Sequence, residues 1–296
     1  MNYTVKAAAR ATGVSESRLR TWERRYGIPR PERAPTGRRL YDDDDLAVIR
    51  RMAALVDAGV SAHEAAEAAL SGTESPPPNT EETEHPLALA LADAAERFDE
   101  ASLQEALRSA VSDLGWADAM DRVIFPGLKR VGLYWETAVF PPANEHFASE
   151  LVSAEIAAAI QGLAPAPTGA PCVVMACPQD ERHDIGLKGL AMLLKMRGVR
   201  TVYLGVDVPA QDLVTAYEAT HADAICLAAT TAIGLASLVR ASRTLVASHR
   251  LRLFIGGPAT SFSGVEAAGI RLPASLSAAA DLVVRTLTQD REGVKP

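Results

Sequence analysis

The chain has 296 residues, which is room for two or three domains with separate cores. No stretch approaches the roughly 20 apolar residues that a membrane-spanning helix needs. The N-terminal segment also lacks the apolar core of a secretory signal. Composition therefore argues against membrane and secreted proteins, and we expect a cytoplasmic one.

The charge is distributed unevenly. The net charge is −7, but residues 1–41 carry ten Lys and Arg side chains against three Glu, a net charge of +7 that leaves −14 on the rest. A basic segment joined to an acidic body is typical of a nucleic-acid-binding arm. The three cysteines, an odd number in apolar surroundings without a Cys-x-x-Cys pair, indicate buried reduced thiols: Cys172, Cys177 and Cys226.

Two helices joined by a tight turn are predicted at the N-terminus. Thr4 to Ala11 is a short helix with Thr4 as its N-cap, and Ser15 caps a second helix that extends to Tyr26. Apolar side chains recur on the second helix at three- and four-residue spacing, which predicts a buried stripe of Leu19, Trp22 and Tyr26.

The second helix also carries four arginines: Arg18, Arg20, Arg24 and Arg25. Such a helix can be a solvated face or a nucleic-acid contact. Residues 29–41 favour the second interpretation, because their prolines and arginines form a rigid basic arm, with Gly37 at the tight bend, that can lie along a phosphate backbone.

Four aspartates follow at residues 42–45, and they suggest either a metal site or the start of a helix. We favour the helix, because carboxylates at a helix N-terminus complement its dipole and an apolar stripe follows: Leu46, Ile49, Met52 and Leu55. Residues 61–64 are predicted to cap a last short helix, with His63 exposed.

The segment GVSESRLRTWERRYGIPRPERAPTGRRLYDDDDLAVI resembles the winged helix-turn-helix of the MerR family. The resemblance covers residues 1 to about 72 and rests mainly on the Trp-Glu-Arg-Arg-Tyr-Gly and Gly-Arg-Arg-Leu-Tyr blocks. It implies a DNA-binding domain at residues 1–74. Our hypothesis is that the DNA contacts come from the second helix and the wing, through Arg18, Arg20, Arg24, Arg38, Arg39 and Tyr41.

Residues 75–85 are predicted to be a linker, because a Pro-, Glu- and Thr-rich stretch cannot bury a core. Residues 86–164 are rich in Ala and Leu with helical periodicity, which predicts a bundle of about four helices. Within it, Trp135 offers a flat surface that can cover a ligand, or it is ordinary bundle core. Glu145 and His146 add polar groups at the start of the next helix.

After a second linker at residues 165–169, residues 170–292 are predicted to be an α/β domain. Four apolar segments read as strands, at residues 170–177, 199–204, 224–228 and 251–255. The predicted fold is therefore multidomain. It combines an α winged helix-turn-helix of MerR type, a helical bundle and a Rossmann-like (flavodoxin-like) α/β domain.

A short polar loop, residues 181–186, separates the first of these strands from a helical pattern that extends to Gly198. It lifts His183 to the carboxyl edge of the sheet, where such folds bind ligands. A histidine between Glu181 and Asp184 can be a proton shuttle, part of a metal site or a solvated side chain. Gly186 lets a large flat ligand approach the backbone closely.

The loop resembles the histidine loop of cobalamin-binding domains, usually Asp-x-His-x-x-Gly and here Glu181-x-His183-x-x-Gly186. The resemblance implies that His183 is the lower axial ligand of cobalt. The pattern Trp135-x9-Glu145-His146 is similar to the bundle signature of the CarH/LitR group of cobalamin-dependent MerR regulators. There the Trp caps the upper axial side, and the Glu and His contact the adenosyl group or the cobalamin face.

The same resemblance assigns two more places to the cofactor. Gly256 and Gly257 are implied to pass close to its buried nucleotide tail. The third strand departs from the family, which usually ends it in Ser-x-Leu; this chain has Ala228-Ala229-Thr230. That puts a hydrogen bond to the tail in doubt, unless Thr230 or Thr231 replaces it.

The resemblance implies a repressor with adenosylcobalamin as sensor and light as signal. In the family, the dark protein binds its operator as a tetramer of paired dimers, and photolysis breaks the assembly. Typical members have a His after the capping Trp, where this chain has Glu136. The alternatives are a corrinoid methyl carrier, against which residues 1–72 argue, and a MerR-type regulator of another tetrapyrrole. No catalytic nucleophile or phosphate loop is evident, so we expect no enzyme.

Overall fold

The structure is a computed structural model that describes residues 3–33, 37–57, 62–71, 85–136, 142–249, 251–261 and 267–293. It divides into two compact units. One comprises residues 1–84 with 129–145, and the other comprises residues 85–128 with 146–296. Among the described helices, none has the length and apolar character that crossing a membrane requires.

The N-terminal elements form a helix-turn-helix followed by a small hairpin. They are α1 (Val5–Thr12), α2 (Glu16–Tyr26), β1 (Glu32–Arg33), β2 (Arg39–Leu40), α3 (Asp43–Asp57) and α4 (Ala62–Ser71). The two strands pair antiparallel, with Glu32 opposite Leu40. Gly37 in the connection has φ +77°, which confirms the predicted bend.

The local signals of the sequence explain these helices. The Thr4 hydroxyl accepts from the amide of Ala7, and the Ser15 hydroxyl accepts from the amide of Arg18, so both predicted N-caps are confirmed. Leu19 and Trp22 are fully buried, and Tyr26 is partly buried against the same core. The predicted stripe therefore forms the inner face of α2.

The aspartates at residues 42–45 begin a helix, as predicted. The carboxylate of Asp42 accepts from the amide of Asp45, and the stripe that follows lies in the core at Leu46, Ile49 and Met52. Among the described residues, no cluster of three or more possible metal ligands occurs. Ser61 and the side chain of His63 lie outside the described residues.

Four helices form the predicted bundle region: α5 (Pro86–Glu96), α6 (Glu100–Ala119), α7 (Phe125–Glu136) and α8 (Pro142–Gly162). A π-helical turn at Met120–Ile124 joins α6 to α7, and Gly115 kinks α6 with φ +73°. Asp121 on that π-turn caps α12 (Leu276–Gly293) of the α/β domain by accepting from the amide of Leu276 at 2.8 Å.

The α/β domain is a five-stranded parallel sheet in the order β4-β3-β5-β6-β7. Its strands are β3 (Cys172–Pro178), β4 (Arg200–Val208), β5 (Ala224–Ala228), β6 (Leu253–Gly256) and β7 (Ile270–Arg271). The intervening helices are α9 (Ile185–Met196), α10 (Ala210–Thr220) and α11 (Ala232–His249). The predicted Rossmann-like class is confirmed, although β7 was not predicted.

The core of this domain lies in β3, β5 and β6. Every residue of β3 is buried, as expected of a central parallel strand covered on both faces. All three cysteines are free and buried, which confirms the predicted reduced thiols.

Candidate functional site

The candidate site lies at the carboxyl end of β3. The loop that leaves β3 reaches the start of α9 at Ile185. Strand β3 lies between β4 and β5, so the chain crosses to one side of β3 to form β4 and then returns to the other side to form β5. The order of the strands therefore reverses at β3. Ligands of open α/β sheets bind in the crevice at such a switch point.

The centre of the site is the carboxylate of Glu181, which is fully buried. Its Oε1 accepts from the backbone amides of Arg182 and His183, both at 2.9 Å. The same oxygen lies 2.7 Å from Nδ1 of His183. An ionised carboxylate can only accept, so Nδ1 carries the ring proton.

The other oxygen, Oε2, is held by the segment that follows β5. It accepts from the amides of Thr230 and Thr231 at 2.8 Å and from the Thr231 hydroxyl at 3.0 Å. Burial alone would raise the pKa of Glu181, but the donors from His183, Thr231 and Thr230 outweigh it and lower the pKa to about 2. Glu181 is therefore a permanently ionised anchor.

Helix α11 begins at this carboxylate. The Thr231 hydroxyl accepts from the amide of Gly234 at 3.0 Å, as an N-cap side chain does. The positive end of the helix dipole also favours a carboxylate here. The Glu181 anchor thus joins the histidine loop to the N-terminus of α11.

His183 fits the role of a cobalt ligand. Its side chain is 40% exposed beside the fully buried Glu181. With Nδ1 donating to a carboxylate, the neutral ring presents Nε2 as the basic nitrogen, and this arrangement orients histidine ligands of metals. Glu181 is fully buried and supports His183, and a direct contact between Glu181 and the cofactor stays a prediction.

Asp184 joins a second network. Its carboxylate accepts from the Tyr203 hydroxyl at 2.9 Å and lies 3.2 Å from the Lys188 ammonium. Lys188 also donates to the Ser153 hydroxyl of α8 at 2.7 Å, so this network connects the loop to the bundle. A direct contact between Asp184 and the cofactor stays a prediction.

The three glycines predicted to contact the cofactor differ in whether the fold requires glycine at their positions. A Cβ at Gly186 would meet only Phe125, at an ordinary 3.8 Å, so packing does not require glycine there. The predicted role in admitting a ligand is consistent with that. Gly257 has φ +91°, and a Cβ there would lie 2.3 Å from the Ala229 carbonyl oxygen, so the fold itself requires this glycine. A Cβ at Gly256 would be 3.3 Å from Leu272, which is tight.

Thr231 has a structural role in the site. Its hydroxyl donates to Glu181 and its side chain is buried, so it supports the carboxylate, and its contact with the nucleotide tail stays a prediction. Thr230 is exposed and stays a candidate for the tail.

The predicted upper-face residues belong to the bundle helices. Trp135 lies at the end of α7, and its side chain is outside the described part of the structure, as is that of Glu136. Glu145 and His146 lie in the first turn of α8, where Glu145 is partly buried and His146 is exposed. Their contacts with a cofactor stay predictions.

The candidate nucleic-acid face is the exposed side of α2 with the wing. Arg20, Arg24 and Arg38 are exposed, and the first two are four residues apart, so they share one face of the helix. Arg18 is partly buried, and its guanidinium lies 4.6 Å from the ring centroid of Trp22.

Two wing residues have structural roles. Arg39 donates from Nε to Glu23 of α2, and Arg33 lies 3.7 Å from the same carboxylate, so Glu23 ties the wing to the helix. Tyr41 is fully buried, which contradicts its predicted DNA contact. Its ring belongs to the hydrophobic core that also contains Trp22, Leu46 and Ile49.

Gly234, Tyr203 and Lys188 were not singled out from the sequence. Gly234 had a local signal, because Thr231-x-x-Gly234 has glycine at the third helical position after an N-cap, where an acidic side chain is common. Lys188 had one as well, since it follows Asp184 by four residues at the start of α9. Tyr203 is an ordinary strand residue whose partner, Asp184, lies on another element.

The sequence matches three family descriptions. Residues 3–71 match "MerR HTH family regulatory protein", and residues 87–159 and 171–272 each match "B12 binding domain". The histidine loop and the sheet lie within the second of these B12 matches.

Two curated relatives cover most of the chain, both from Myxococcus xanthus. The HTH-type transcriptional repressor CarH is 34% identical over 239 residues, which are 76% of this chain and 78% of CarH. The HTH-type transcriptional repressor CarA is 30% identical over 229 residues, 77% of this chain and 76% of CarA.

Among solved structures, the monomethylamine corrinoid protein of Methanosarcina barkeri matches with a TM-score of 0.53 and 20% identity. The match covers 66% of this chain and 96% of that protein. This likeness concerns the fold alone.

Proposed function

The chain belongs to the family of MerR-type transcriptional repressors with B12-binding domains that includes CarH and CarA, and on that premise we propose that it represses transcription in response to light sensed by adenosylcobalamin. It is a regulator and not an enzyme, since CarH and CarA are both named transcriptional repressors. The methyl-carrier interpretation is therefore set aside.

The observation that carries the proposal is the buried Glu181 carboxylate that holds His183. It fixes the ring tautomer and leaves Nε2 of the partly exposed ring as the nitrogen available to a ligand. When bound, adenosylcobalamin would supply a cobalt–carbon bond that light can break. His183 would ligate the cobalt, and Trp135, Glu145 and His146 would contact the cofactor.

The test is an absorption spectrum of the purified protein loaded with adenosylcobalamin, recorded in the dark and after illumination, with the molar mass measured in both states. We expect a cobalamin spectrum that changes on illumination and a larger assembly, a dimer or tetramer, in the dark. A protein that takes up another tetrapyrrole, or that keeps its mass and DNA affinity when the bond is cleaved, contradicts the proposal.

The DNA face leads to a prediction about arginines. Replacing Arg20 or Arg24 with alanine should weaken operator binding, because both are exposed on one face of α2. Loss of a phosphate contact should weaken binding to all sequences and reduce the salt slope by about one unit. Loss of a base contact should relax specificity at one position by roughly 1–3 kcal/mol.

Arg51→Ala is the matched control, since Arg51 is exposed on α3 and is not part of this face. Binding should be measured by fluorescence anisotropy on operator and on unrelated DNA at several salt concentrations. If Arg20→Ala and Arg24→Ala both match Arg51→Ala, the contact face is elsewhere.

Glu136 leads to a prediction about the illuminated state. A carboxylate is a poorer ligand than imidazole for low-spin cobalt, so the illuminated protein should not show at once the spectrum of cobalt held by two imidazoles. His183 would be the one histidine ligand, and His146 would add a second only slowly. Glu136→His should create a stable bis-histidine spectrum, and the wild-type protein should recover more readily with fresh cofactor. A stable bis-histidine spectrum in illuminated wild type that persists in His146→Ala would contradict this account.

A further inference from the structure

Gly234, in the first turn of α11, lies against the side chain of Glu181. A Cβ at this position would be 2.3 Å from Glu181 Oε2, 2.8 Å from its Cβ and 2.9 Å from its Cδ. All three distances are shorter than atoms in real proteins tolerate. Unlike Gly257, Gly234 does not have positive φ, so the requirement for glycine here comes from space and not from backbone conformation.

A flexible carboxylate would ordinarily swing away from an added methyl group. Glu181 cannot do so without loss, because Oε1 and Oε2 each accept three hydrogen bonds. Its fully buried side chain has no solvent to replace those donors. Gly234 cannot readily retreat either, since its amide donates to the Thr231 hydroxyl that also holds Oε2.

We propose that Gly234 is a positioning residue for His183, matched to the length of the glutamate at position 181. The glutamate side chain fills the volume that a Cβ at 234 would occupy, and from there its Oε1 reaches His183 Nδ1 at 2.7 Å. A methyl group at 234 displaces the carboxylate and so releases the ring. The inference rests on the proposed function in one respect, which is that His183 ligates cobalt.

If Gly234 and Glu181 are matched in size, a change at one of these positions should partly compensate a change at the other. Glu181→Asp shortens the side chain by one methylene group, which draws the carboxylate back from Gly234 and leaves a gap. Gly234→Ala adds one methyl group at that place. Combined, the two changes relieve the contacts of the added methyl group with Oε2 and Cδ and leave the 2.8 Å contact with the Cβ of residue 181, so their effects on cobalamin affinity should be non-additive, as for residues in direct contact.

The test uses the full-length protein in five forms: wild type, Gly234→Ala, Glu181→Asp, the double variant and Gly162→Ala. Gly162 ends α8, and no described residue lies within 4 Å of a Cβ added there, so it controls for a methyl group without a clash. The apo-protein readout is the ¹⁵N shift of the His183 ring, which reports whether Nδ1 carries the proton. The second readout is the affinity for hydroxocobalamin with its visible spectrum.

We expect Gly234→Ala to lower cobalamin affinity about 10- to 100-fold, the range found when a supporting partner of a metal ligand is lost, and to remove the Nδ1-protonated signal. The double variant should regain part of the cobalamin affinity and part of the Nδ1-protonated signal, and Gly162→Ala should match wild type. If Gly234→Ala does not fold but the double variant does, the proposal is supported.

The proposal is overturned if Gly234→Ala keeps the wild-type ring signal, or if the double variant loses at least as much as the two single changes together. It is equally overturned if the double variant is as unstable as Gly234→Ala. Failure of the proposed function gives a different pattern. Wild type would then not bind cobalamin, while the ring signals of the apo proteins would still follow the order predicted for Gly234.

Discussion

His183→Ala is expected to lower cobalamin affinity by at least about 100-fold, the upper end of the loss caused by removing an outer-shell partner of a metal ligand. The ring is the group that the site holds in place, since its Nδ1 is fixed 2.7 Å from a buried carboxylate. Cofactor that still binds should show the spectrum of cobalt without a protein imidazole below it. Titration of the apo protein with hydroxocobalamin, followed by visible absorption, measures both effects.

His221→Asn is the matched control for that variant. His221 is an exposed histidine that ends α10 with φ 50°, a conformation that asparagine tolerates. It should bind cobalamin like wild type. An unchanged spectrum and affinity in His183→Ala would refute the assignment of the lower ligand and leave the histidine loop without the proposed role.

Glu181→Gln is expected to destabilise the folded apo protein by about 3 kcal/mol at neutral pH. The pKa of Glu181 is lowered from its ordinary value of 4.5 to about 2. A pKa that is lower by one in the folded state corresponds to about 1.4 kcal/mol in the free energy of unfolding. The NH₂ group of glutamine also replaces one of the two accepting oxygens, so it would face either the backbone N–H groups of Arg182 and His183 or those of Thr230 and Thr231.

The pH dependence follows from the sign of this shift. A folded-state pKa below the ordinary value means that ionised Glu181 stabilises the fold fully above about pH 4.5. This contribution is lost as the pH falls toward 2. The difference between wild type and Glu181→Gln should therefore be constant from pH 7 to 5 and shrink by about 1.4 kcal/mol per pH unit below 4.5.

Urea unfolding of the apo protein between pH 7 and 3.5 measures that difference. Glu218→Gln is the control, because Glu218 is an exposed glutamate on α10, and it should show little change at any of these pH values. If Glu181→Gln is as stable as wild type at pH 7, the six hydrogen bonds to the carboxylate do not contribute as the geometry implies.

Much of the fold could be predicted because its signals are local. Thr4 and Ser15 cap the first two helices as predicted, and Cys172–Pro178 forms the central strand that its apolar run indicated. The MerR and B12-binding resemblance is confirmed by the matched families and by CarH and CarA. The short β7 was missed, because two residues carry too little pattern to identify a strand.

The local sequence is sufficient to predict that His183 lies at a sheet edge, because a strand, a polar loop and a helix follow one another there. The contacts that hold this histidine depend on the packing of distant segments. Thr231 and Gly234 lie about 50 residues beyond Glu181 and meet it because β3 and β5 are neighbours. Likewise, packing assigned Tyr41 to the core, because burial depends on distant parts of the chain and local pattern describes only neighbours in sequence.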